Sequence, residues 1–182
     1  RKRGGFCFEL QGLYKELLES IGFHVVQYSA RFMDEPGIVQ MRRHRVLVVQ
    51  IGNRRYLTDV GIRSESPRMP IELVYDTLQS DGVCEYRFRQ DAFYGWVLCQ
   101  KEYGKSWKPL YGFTEEPQID DDFIMPCFYC EKHPDSTFNK FMKTKAGSIL
   151  NWAMPIVLVG LLLLATAFLV DGSYNPFLYF RF

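Results

Sequence analysis

Arg3-Gly4-Gly5-Phe6-Cys7-Phe8-Glu9 sets a cysteine where a glycine-rich loop turns into a helix, and the rest of the 182-residue chain reads as support for that thiol. After Cys7 the apolar residues Leu10, Leu13, Tyr14, Leu17, Leu18 and Ile21 recur three and four positions apart. That spacing predicts one amphipathic helix with these residues as its apolar stripe, ending at Gly22. Gly4-Gly5 lets the backbone turn tightly, so Cys7 falls at or near the first helical position. There the unpaired N–H groups and the positive end of the helix dipole favour thiolate over thiol.

A second stretch works with the first. His44 to Ile51 and Arg54 to Val60 are strand-like runs around Gly52-Asn53, a strong hairpin signal. If Gly52 and Asn53 form the loop, Ile51 pairs with Arg54, Val46 faces Asp59, and His44 and Asp59 become diagonal neighbours on one face. Diagonal neighbours sit ~7–8 Å apart at the backbone, a gap that polar side chains close. An imidazole and a carboxylate thus meet through local folding alone.

Elsewhere, Phe23 to Phe32, Glu85 to Gln90, Tyr94 to Tyr103 and Trp107 to Thr114 read as further strands, rich in aromatic and β-branched residues. A β-meander or small barrel is expected. Pro117 to Phe138 reads as loop with one short helix. The fold class is therefore α+β, a nucleophile-bearing helix packed on an antiparallel barrel-like sheet, followed by an apolar C-terminal helix.

With 47% hydrophobic residues the chain buries a real core, and a net charge of +1 offers nucleic acid no phosphate track. Five cysteines at uneven spacing do not form a secreted disulfide framework, so a reducing compartment, the cytoplasm, is expected. The absence of an initiator methionine leads us to expect that the natural N-terminus is missing. Ala146 to Val170 carries no charge and Met154 to Val170 is apolar nearly throughout. Such a run is long enough to cross a bilayer core, and Lys140, Lys143 and Lys145 before it would hold the folded part in the cytosol as a tail-anchored protein. Two regions follow: a domain over 1–145 and a tail over 146–182, with a buried core helix or strand, or a tail produced by an aberrant reading of the gene, as the alternatives for the tail.

Cys7, His44 and Asp59 are the residue types of a nucleophile, a base and an orienting acid. Singly, each has a plainer reading as packing or surface residue. Cys127-x-x-Cys130-x-x-His133 is too small a cluster to argue for zinc, so no metal is expected.

Several stretches carry a resemblance beyond chemistry: Arg3 to Glu9, Leu13-Tyr14, Leu18 to Phe23, Ala30-Arg31, His44 to Val49, Tyr56 to Gly61, Leu110 to Thr114, Asp122-Phe123 and His133 to Phe138. Together they resemble the arylamine N-acetyltransferases over about residues 1–140, without that family's N-terminal helical part. The resemblance implies a cysteine-protease-like core and a two-stage transfer, in which acetyl-CoA or another acyl-CoA acylates Cys7 and an arylamine or arylhydrazine takes the acyl group. It further implies that His44 shuttles protons, that Asp59 orients it, that Arg3 and Glu9 pair beside the nucleophile, and that Gly61, Tyr129 and Ser136 line the acyl-CoA site. Met41-Arg42-Arg43 and Ile62-Arg63-Ser64 depart from the family pattern. Their arginines would either obstruct CoA or meet its phosphates or a carboxylated acyl group. The alternatives are a catalytically impaired, membrane-tethered relic and a papain-like hydrolase.

Overall fold

In the computed structural model, which describes residues 5–62 and 66–170, helix α1 spans Cys7–Ser20, with Cys7 as its first residue. Glu9 caps it, its Oε2 accepting from Phe6 N at 2.8 Å. The apolar stripe, however, packs inward only along one edge, through Leu18 and the half-buried Tyr14. Leu13, Leu17 and Ile21 are exposed, whereas Phe8, Gln11 and Leu18 are buried. Two stripes with the same 3.6-residue period lie side by side on this helix. The polar one wins because Gln11 and Lys15 find carboxylates below them, at Asp59 and Asp120. Leu18 supplies the apolar contact, against Leu47 and Val49. Burying side chains of this size contributes about 1.5–3 kcal/mol each.

Strands β1 (His24–Phe32), β2 (His44–Ile51) and β3 (Arg54–Thr58) follow. The hairpin has the register its turn dictates, from Ile51 against Arg54 to Leu47 against Thr58. Gly52 takes the left-handed φ of 59° that the tight loop requires. Next come β4 (Ile71–Glu72), β5 (Gln79–Ser80), β6 (Cys84–Asp91), β7 (Gly95–Glu102) and β8 (Lys108–Phe113). The eight strands form one antiparallel sheet in the order β4-β3-β2-β1-β8-β7-β6-β5, with β1 paired to both β2 and β8.

Sequence reading missed β4 and β5, two residues each, because strands this short carry no periodicity. They are the two edges of the sheet, and one side chain bridges them. The Gln79 amide donates to the Glu72 carbonyl at 2.9 Å and accepts from Glu72 N at 2.8 Å, imitating a strand partner. The sheet is thus nearly closed. Its interior is filled by Tyr28, Val46, Leu57, Phe88, Leu98, Tyr111 and Phe113.

Pro117 to Phe138 is more helical than expected. A 3-10 turn at Asp120–Phe123 runs into α2 (Ile124–Lys132), and α3 spans Thr137–Met142. Arg45 explains why the 3-10 turn stays on the sheet. Its buried guanidinium donates to the Phe8 carbonyl (3.2 Å), Gln27 Oε1 and Asp120 Oδ1, and stacks over Phe123. Such contacts are invisible to local periodicity.

The chain divides into two compact units, Arg1–Tyr129 and Cys130–Phe182. The second contains α3 and α4 (Lys145–Val170), with Pro155 inside the latter. Among the described residues no helix is long and apolar enough to cross a membrane. The anchor expected over this tail therefore gains no support, and 171–182 lie outside the described residues.

Candidate active site

The three residues singled out arrive from three elements of the first unit. Cys7 opens α1 and is half-buried, its thiol 3.7 Å from the Arg43 carbonyl it donates to. The next residue, His44, opens β2, and Asp59 follows the end of β3. Imidazole and carboxylate meet at 2.7 Å, Nε2 to Oδ2, with both side chains fully buried. Asp59 Oδ1 accepts two further hydrogen bonds, from Gln11 Nε2 at 2.6 Å and from Gly61 N at 2.8 Å. Phe32 and Tyr111 close around the imidazole with ring centroids at 4.9 and 5.1 Å.

Burial alone would lower the proton affinity of His44. The charge and hydrogen bond of Asp59 outweigh it, Cys7 adds to them, and the imidazole is pushed up to about 10. His44 Nδ1 makes no hydrogen bond of ordinary length, yet Cys7 acts on the ring. The imidazole is therefore a cation at neutral pH, suited to hold a thiolate. Because the shift is upward from 6.5, its stabilising contribution is complete below about 6.5 and is lost as pH rises through about 10. Denaturant titrations across that window should show the loss in the unsubstituted protein and a flatter profile in His44→Gln.

Gly61 lies against this pair. A Cβ there would come within 2.8 Å of Cys7 Cβ, 3.1 Å of Cys7 Cα and 3.3 Å of His44 Cε1. The nearest atoms belong to the start of a helix that cannot move alone, so Gly61→Ala should displace the thiol. Displacements near 1 Å lower rates by about 100-fold. Turnover and the rate of Cys7 alkylation should fall together, with the fold retained by circular dichroism.

Other expected site residues are placed as follows. Tyr129 is half-buried on α2. Ser136 caps α3, accepting from Asn139 N and donating to the Cys130 carbonyl. Arg42 is engaged by Glu116 and Thr114, and Arg43 by Gln40, with its guanidinium over Phe32. Arg3, Arg63 and Ser64 lie outside the described residues, while Glu9 holds the helix cap and the Cys127 thiol, 3.1 Å from Oε1. Among the described residues no group of His, Cys, Asp or Glu is arranged to hold a metal ion. Gln11, Arg45 and Tyr111 were not anticipated. Only Gln11 left a signal, a polar residue one turn after the cysteine among apolar neighbours.

A half-buried thiol at a helix start, beside a buried imidazole–carboxylate pair on a nearly closed antiparallel sheet, is the layout of proteins built around a cysteine nucleophile. A family model described as N-acetyltransferase matches residues 1–154, and the chain belongs to the arylamine N-acetyltransferase family. It is 33% identical over 138 residues to an arylamine N-acetyltransferase of Escherichia coli, covering 75% of this chain and 48% of that protein. The arylamine N-acetyltransferase structure from Salmonella typhimurium superposes with a TM-score of 0.69 at 31% identity, over 75% of this chain and 50% of that one. The Mycobacterium marinum enzyme solved in complex with CoA gives 0.69 at 29%, over 76% and 52%. The chain thus spans about half the length of these relatives.

Proposed function

We propose that this protein transfers an acetyl group from acetyl-CoA, through a thioester on Cys7, to the nitrogen of an arylamine or arylhydrazine. The observation that carries the reading is the fully buried 2.7 Å pair of His44 and Asp59 beside the half-buried Cys7. The names of the relatives and the CoA complex of the Mycobacterium marinum enzyme support the donor and acceptor classes. We further assign the transferase domain to residues 1–145, with Gly61, Tyr129 and Ser136 facing the acyl-CoA.

The Cys7 thiolate attacks the thioester carbonyl, forming one S–C bond while the bond to CoA sulfur breaks. The departing CoA thiolate takes the proton of the His44 imidazolium. A thioester is exchanged for a thioester, so this stage is nearly balanced in free energy. The amine nitrogen then attacks the acyl carbon, the bond to Cys7 breaks, and His44 takes the amine proton. Thiolate and imidazolium are both restored. Arylamines suit the second stage because they are weakly basic and remain neutral, hence nucleophilic, at the pH where imidazolium persists.

Acetyl-CoA alone should label Cys7 stoichiometrically, a mass gain of one acetyl group on the peptide containing residue 7, and adding an arylamine should discharge it. Absence of the label would end the reading. Release of acetate without acetylated amine would transfer it to a hydrolase.

A further inference from the structure

Gln11 sits one turn after Cys7 with no exposure at all, on a helix otherwise supplied with leucines. Burying an amide is unfavourable unless both ends are bonded, and here only one is. Nε2 donates to Asp59 Oδ1 at 2.6 Å, whereas Oε1 has no hydrogen-bond partner. A packing residue at this position would be better as leucine. The amide is kept half-satisfied to reach one atom.

That atom matters because Asp59 divides its two oxygens. Oδ2 holds the His44 ring, while Oδ1 is fixed by Gln11 and by the backbone of Gly61. Two donors on one oxygen fix the plane of the carboxylate and hence the direction in which Oδ2 faces the imidazole. The titratable groups facing Asp59 are His44 on β2 and the buried phenol of Tyr111 on β8, while Cys7 on α1 acts on the His44 ring. The Arg45 guanidinium is engaged elsewhere, with the Phe8 carbonyl, Gln27 and Asp120.

We infer that Gln11 is a positioning residue that aims Asp59 at His44, so that one helix carries both the nucleophile and the lock on its acid. The inference rests on the acyl-transfer reading above but can be tested without substrates. Gln11→Leu removes the donor. The carboxylate then turns from the ring or draws the imidazole proton to itself, and either change leaves Cys7 less ionised.

The experiment is the pH profile of Cys7 alkylation by iodoacetamide in the full chain, from about pH 5 to about pH 9, with the modified cysteine identified by peptide mass spectrometry. Relative to the unsubstituted protein, Gln11→Leu should react about tenfold more slowly near pH 7, one pK unit being a tenfold change in the equilibrium. It should recover on the alkaline side, where a thiol ionises unaided at about 8.5. Gln11→Glu has the same shape and keeps the test open if the leucine variant does not fold. Its carboxyl can meet Asp59 only while it holds a proton. Its rate should therefore match the unsubstituted protein at acid pH and fall behind as pH rises, the opposite trend.

Rate ratios that stay flat with pH in the variants that fold would overturn the inference and leave Gln11 a packing residue. If the unsubstituted protein itself shows only the profile of an ordinary thiol, the acyl-transfer reading fails first, and this one with it.

Discussion

Cys7→Ser is expected to lose acetyl transfer by about 10,000-fold or more, the scale at which removing a covalent nucleophile leaves only binding and polarisation. In the proposed mechanism the thiol gives its proton to His44, and a serine hydroxyl cannot do so because its proton is held too tightly. Stability should change by less than about 1 kcal/mol, since the thiol is half-buried and its hydrogen bond, to the Arg43 carbonyl, is a long one. Chromatographic assay of the acetylated amine, alongside a thermal melt, checks both halves. Turnover retained at more than a few per cent would mean that another group carries the acyl chain.

Asp59→Asn should lower turnover by about three to four orders of magnitude, the loss seen when a triad carboxylate becomes an amide. Gln11 Nε2 and Gly61 N both donate to Oδ1, so the asparagine oxygen is drawn to that side. Its NH2 then faces His44 Nε2, which must become the acceptor, and the ring proton moves to Nδ1. An imidazole in that tautomer cannot take the thiol proton. Rotating the amide the other way leaves Gln11 and Gly61 facing a donor instead. Alkylation of Cys7 at neutral pH should therefore slow along with kcat. Imidazole resonances should also titrate near the ordinary value instead of remaining protonated toward about 10. A variant that keeps both the alkylation rate and the high imidazole value would show that Asp59 does not govern the ring.

The parts of this site legible in the sequence were those set by local geometry. A two-residue glycine turn fixed the pairing of β2 with β3, and the pairing brought His44 to Asp59. The Gly-Gly-x-Cys step likewise fixed the first residue of α1. What stayed hidden depended on partners far along the chain. The periodicity of α1 was right and its inward side only partly so, because the choice between two adjacent stripes is made by Asp59 and Asp120. No helical period reports on those residues. Nothing in the local pattern singled out Arg45, yet it is buried by three acceptors drawn from α1, β1 and the 3-10 turn. Likewise Gln79 gave no hint that its amide would join the two sheet edges.

The tight loop at Gly52-Asn53 also sets an order of assembly. Hairpins close in about 1–10 μs, and contacts between distant segments form later and are lost first. The base and the acid are therefore partners early in folding, while the thiol joins only when α1 docks on the finished sheet. Local opening of that helix would disconnect the sulfur and leave the imidazole–carboxylate pair standing. In hydrogen exchange, amides of residues 7–20 should accordingly open at lower free energy than those of residues 44–58.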